Sequence, residues 1–115
     1  MEMKSPTHPI PLEIAASAFA ALGSEQRLNV LRTLVRAGPE GLSIGELGEK
    51  TGVTGSTLTH HMRILTQAGL ARQTRRGRSV ICAAADYAEV RALSEFLLSE
   101  CCAETPSAER THDHG

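Results

Sequence analysis

Apolar residues recur at helical spacing in several stretches of the chain, and glycine, proline and serine separate the stretches. Leu12, Ala15, Ala16, Phe19 and Leu22 form a first stripe, which Gly23 stops. Ser24 is placed to cap a second helix that carries Leu28, Leu31 and Val35. The run Ala37-Gly38-Pro39-Glu40-Gly41 has the composition of a turn. Ser43 with Glu46 three residues on is a capping box, which opens a short third helix ended by Gly52. Thr54 can cap a fourth helix bearing Leu58, Met62 and Leu65, and Gly69 closes it. Two extended segments, Leu70 to Arg75 and Arg78 to Ala83, then flank Arg76-Gly77 and predict a β-hairpin. Asp86 and Glu89 form a second capping box, and the last helix places Tyr87, Val90, Leu93 and Leu97 on one face.

Two helices joined by a few residues containing glycine make a helix-turn-helix. A hairpin behind them makes the fold mainly α with a small β-hairpin: a winged helix-turn-helix. Residues 1–11, with Pro6, Pro9 and Pro11, are expected to form a flexible arm. Residues 12–102 are expected to form the winged helix-turn-helix domain, and residues 103–115 a flexible polar tail. A chain of 115 residues is one domain's worth. Apolar stretches are too short to span a membrane, and no secretory signal opens the sequence, so the protein is expected in the cytoplasm.

Charge sharpens the picture. The net charge is only −1. Yet residues 51–85 contain no acid and five arginines: Arg63, Arg72, Arg75, Arg76 and Arg78. A basic segment on a neutral chain suits an anionic partner, most often nucleic acid. The fourth helix begins with the small and hydroxylated Thr54, Gly55, Ser56, Thr57 and Thr59, which allow close approach in a major groove. His60, His61 and Arg63 add reach, and Arg75, Arg76 and Arg78 sit at the wing tip for the minor groove or backbone. The candidate DNA-binding residues are therefore Ser56, Thr57, Thr59, His60, His61, Arg63, Arg75, Arg76 and Arg78. For either histidine, a packed or solvated ring is the competing reading. Arg72, near the base of the wing, can instead serve an ion pair.

The stretch from Leu47 to Ala71, above all His61-x-x-x-Leu65-x-x-Ala68-Gly69-Leu70, resembles the signature of the ArsR/SmtB family of metal-sensing repressors. Ala21-Leu22-Gly23-Ser24-Glu25-x-Arg27 and the arginine-rich wing share the resemblance, which covers roughly residues 15 to 100. It implies a homodimer whose first and last helices form the interface, and two recognition helices on double-stranded operator DNA. No organic cofactor, membrane or enzymatic activity is expected.

The family's metal sites vary. The third helix here has no cysteine and the last helix no histidine, so two of the usual sites are missing. Cys101 and Cys102, side by side near the end of the chain, resemble the terminal cysteine pair of members that sense trivalent arsenic. Thiolates are soft ligands and suit such an ion. On a regular helix adjacent side chains diverge by about 100°, so sharing one ion requires the helix end to unwind. Cys82 is the candidate third ligand; its alternative is a small buried hydrophobe. With Cys82, arsenite or antimonite fits. Without it, methylarsenite or another organoarsenical fits. His112 and His114 could complete a zinc site with the pair. A repressor responding to thiol oxidation or reactive sulfur is a further alternative on the same fold.

Overall fold

The computed structural model describes residues 10–106. The order is α1 (Leu12–Ala21), α2 (Glu25–Ala37), β1 (Leu42–Ser43), α3 (Ile44–Thr51), α4 (Gly55–Gln67), β2 (Ala71–Arg76), β3 (Ser79–Ala84) and α5 (Tyr87–Leu98). The three strands form one antiparallel sheet in the order β1-β3-β2. Among the described residues, no helix is long and apolar enough to cross a membrane.

Local chemistry explains most of the boundaries. Ser24 Oγ accepts the Arg27 backbone N–H at the start of α2. At α3 the full capping box forms: Glu46 N–H donates to Ser43 Oγ, and Ser43 N–H to Glu46 Oε1. Gly52 and Gly69 end α3 and α4 in the left-handed region, at φ 77° and 80°. Two expected caps do not form. Thr54 and Asp86 occupy N-cap positions without a side-chain bond to their helices. Asp86 faces Arg72 instead, with its Oδ1 3.6 Å from Arg72 Nη1.

The most deeply buried side chains come from four elements. Val30 and Leu34 of α2, Leu47 of α3, Leu58, Met62 and Leu65 of α4, and Cys82 of β3 are all fully buried. Two expected stripes are rotated. On α2 the buried positions are Val30, Leu31 and Leu34, leaving Leu28 and Val35 exposed. On α1 they are Ala15, Ala18 and Ala21, leaving Leu12 and Ala16 exposed. Packing selects the small face of α1 because alanines let helix backbones approach closely. Phe19 and Leu22 are half-buried against the core, and Leu12 and Ile14 are left outward.

Strand β1 is absent from the sequence expectation. Two residues carry no readable period, and only the pairing of Leu42 with Cys82 and Ser43 with Ile81 defines it. Gly41 makes this pairing possible. Its φ is 76°, and a Cβ there would collide with the Cys82 carbonyl.

Candidate nucleic-acid interface and thiol site

α3 and α4 form the helix-turn-helix, with Thr51-Gly52-Val53-Thr54 turning between them. Leu58, Met62 and Leu65 anchor the inner face of α4 in the core. The outer face carries Ser56, Thr57, Thr59, His60 and Arg63, all exposed. The first intrahelical bond of α4 runs from Leu58 N–H to the Thr54 carbonyl. The N–H groups of Gly55, Ser56 and Thr57 therefore remain available to a phosphate. Thr59 Oγ1 already donates to the Gly55 carbonyl, so toward DNA this hydroxyl is an acceptor.

His61 departs from the group. It is only 7% exposed and points inward. Its Nε2 lies 2.9 Å from Gln26 Oε1, and its Nδ1 lies 3.4 Å from Arg27 Nη1. This geometry fixes the neutral tautomer with the proton on Nε2, since guanidinium can only donate. Burial first, then the charges of Arg27 and His60, hold the ring below the ordinary imidazole range. His61 is thus a packed histidine rather than a DNA contact. Spacing three residues after Leu58 is compatible with an inward face, and the partners Gln26 and Arg27 on α2 decide it.

The wing places its arginines differently. Arg75 pairs with Val80 and Arg76 with Ser79, and the chain reverses at Gly77, φ 63°. Neighbouring strand residues point to opposite faces, so Arg75 and Arg76 leave the ribbon on opposite sides. Arg78 extends from the turn. All three are exposed. Arg72 serves the fold, donating to the Ala84 carbonyl at 2.9 Å as well as facing Asp86.

The thiols fall into two environments. Cys82 is fully buried in β3, with Gln73 Nε2 at 3.9 Å from its sulfur. Burial raises its pKa, only partly offset by the Gln73 contact. Cys101 and Cys102 are exposed beyond the end of α5. There the chain passes into successive tight turns, with bonds from Cys101 N–H to Leu98 O, Ala103 N–H to Glu100 O and Thr105 N–H to Cys102 O. Cys102 has φ 62°, the one non-glycine positive value among the described residues. This bend brings the two sulfurs to 3.5 Å. The helix end is therefore already unwound. The shared hydrogen bond with Cys101, followed by the charge of that neighbour, raises the Cys102 pKa. Among the described residues no group of three or more His, Cys, Asp or Glu is gathered as for a metal ion. Cys82 is not brought to the pair within the protomer. His112 and His114 lie outside the described residues.

A helix-turn-helix domain family matches residues 22–74. The HTH-type transcriptional regulator YceK of Bacillus subtilis (strain 168) is 40% identical over 67 residues, which span 58% of this chain and 66% of that protein, just under two thirds. The HTH-type transcriptional regulator NmtR of Mycobacterium tuberculosis is 33% identical over 95 residues, spanning 80% of this chain and 77% of NmtR. The ArsR-like transcriptional regulator from Rhodococcus sp. RHA1 superposes with a TM-score of 0.67 at 28% identity, covering 85% of this chain and 86% of that one. The chain belongs to the ArsR/SmtB family of transcriptional regulators. An ArsR/SmtB chain is a DNA-binding regulator rather than an enzyme. The exposed face of α4 and the wing arginines thus have the setting expected of DNA-reading elements.

Proposed function

We propose that this protein is a cytoplasmic repressor that binds operator DNA as a homodimer and leaves it when a trivalent arsenical joins Cys101 to Cys102. The observation that carries the ligand reading is the exposed pair of sulfurs 3.5 Å apart. An ion with sulfur bonds of about 2.3 Å and angles near 100° separates two sulfurs by about that distance. The pair therefore needs little rearrangement to close on one atom.

Two thiols favour an arsenic centre that already carries a carbon substituent. A monomethyl arsenic dihydroxide exchanges both hydroxyls for sulfur. Each new As–S bond forms as one As–O bond breaks, and each thiol proton leaves with its hydroxyl as water. Arsenic stays trivalent, and protonated thiols suffice as reactants. Inorganic arsenite keeps a third position that needs another thiolate, and Cys82 is buried in the core.

Leu12 and Ile14 of α1 and Leu97 and Leu98 of α5 are more than half exposed in the single chain. A two-fold partner covering these helices accounts for that exposure. A ligand at the end of α5 then alters the edge of the interface and the spacing of the recognition helices. It releases DNA only by binding the released state more tightly.

Native mass spectrometry of the reduced protein with methylarsenite, arsenite and zinc in turn tests the ligand. One methylarsenite per protomer, retained by Cys82→Ser and lost by Cys102→Ser, is expected. Absence of any arsenical adduct overturns the reading and favours release by thiol oxidation.

A further inference from the structure

Among the described residues, His61 is the one buried charged or strongly polar side chain, and DNA contact does not use it. It lies where three helices meet. From α2, Gln26 Oε1 accepts its Nε2–H at 2.9 Å, and Arg27 Nη1 donates toward its Nδ1 at 3.4 Å. Arg27 is itself tied to α1, since its Nε donates to the Ala21 carbonyl at 2.6 Å. A polar relay thus runs from the end of α1, through Arg27, to the middle of the recognition helix α4. We infer that His61 is a positioning residue for DNA recognition: as a neutral ring it ties α4 to α2 and, through Arg27, to α1, and protonation breaks the Arg27 link while the Nε2–H bond to Gln26 remains.

The chemistry of the ring forces the break. A proton on Nδ1 faces the guanidinium N–H of Arg27, donor against donor and cation against cation. The charges acting on the ring are both basic: Arg27 from α2 and His60 from α4, whose ring centre is 5.9 Å away. From α1 the relay meets the Ala21 carbonyl, which carries no formal charge. The arrangement therefore accepts a proton only by opening on the Arg27 side, and α4 is then held to α2 by the Gln26 bond alone. Opening need not unfold the helix, because Leu58, Met62 and Leu65 stay anchored in the core. It leaves α4 free to pivot on that apolar seam, and Ser56, Thr57 and His60 move with it.

The sign follows from linkage. The DNA-competent arrangement holds His61 below the ordinary imidazole range, so it binds fewer protons than the opened one. Operator affinity then falls as pH falls below about 6.5. This effect is independent of Cys101 and Cys102, so it stands or falls separately from the arsenical reading.

The test is operator binding by fluorescence anisotropy from about pH 8 to about pH 5.5 at fixed ionic strength, across the range where imidazole titrates. His60, an exposed candidate DNA contact, is kept in both proteins, so its contribution is common to the two profiles. One keeps His61 and the other has His61→Gln, which does not titrate but can accept from Arg27 and donate to Gln26. Far-UV circular dichroism follows the fold across the same range. With His61, affinity is expected to fall several-fold toward acid while helicity holds. With His61→Gln the fall is expected to be markedly smaller. Parallel pH profiles overturn the inference. So does loss of helicity over the same interval as loss of binding, which would make the histidine a stability element only.

Discussion

Cys82 separates a structural thiol from a ligand, and two substitutions there make the distinction quantitative. The side chain is fully buried, and its sulfur has one long polar neighbour, Gln73 Nε2 at 3.9 Å. Cys82→Ala removes one small apolar group and leaves a small void, a cost of about 1 kcal/mol. Cys82→Ser keeps the volume but buries a hydroxyl. The shorter C–O bond draws that hydroxyl back from Gln73, so it is poorly paired and costs about 2 kcal/mol. In a domain of this size 1 kcal/mol moves the melting temperature by roughly 4–8 °C, so serine should melt about 10 °C below the native protein and alanine about half that. Thermal unfolding of reduced protein, with and without saturating methylarsenite, measures both effects. The ligand-induced rise in melting temperature reports binding to the folded state and should be equal in all three proteins. If serine is tolerated better than alanine, the burial argument fails. If either variant loses the ligand-induced rise, Cys82 is a ligand.

Other substitutions probe the fold and the interface. Gly41→Ala should destabilise by about 3 kcal/mol in a denaturant titration, combining a left-handed backbone with a collision at the Cys82 carbonyl. Gly52→Ala, equally left-handed at φ 77° but with nothing within 4 Å of the added carbon, should cost only about 1 kcal/mol. Arg76→Ala or Arg78→Ala should weaken DNA binding and lower the salt dependence of log K by about 2 per dimer if each arginine meets one phosphate in each half-site. His61, with its folded pKa lowered, contributes stability that is complete above about pH 6.5 and lost as pH falls through the folded value. Acid unfolding of the His61→Gln protein should lack that contribution.

The features legible in the sequence are those written in local chemistry. Ser43 and Glu46 specify one helix start by three-residue spacing, and Gly52 and Gly69 specify two ends by tolerance of positive φ. The hairpin around Gly77 and the basic character of the wing follow in the same way. Features decided by tertiary partners were not legible. Asp86 has the spacing of a cap, but its carboxylate faces Arg72, a residue fourteen positions away. Strand β1 exists only because β3 lies beside it. Which side of α2 becomes the core depends on α3 and α4, and Leu28 is no less apolar than Leu31. Adjacent cysteines imply divergence on a helix; the positive φ of Cys102, which turns the two sulfurs together, belongs to the turns beyond Leu98. His61 was ambiguous because a histidine suits both a groove and a buried relay, and only the neighbours Gln26 and Arg27 decide between them.

In the proposed mechanism, one ligand bridging Cys101 and Cys102 releases DNA. The most direct measurement titrates methylarsenite into the complex of reduced protein with a duplex it has selected from a random pool, following anisotropy. The native protein and Cys82→Ser should both release the duplex at about one equivalent per protomer. Cys102→Ser should bind the duplex as tightly as the native protein and hold it throughout. Release from Cys102→Ser, or no release from the native protein, would contradict the account.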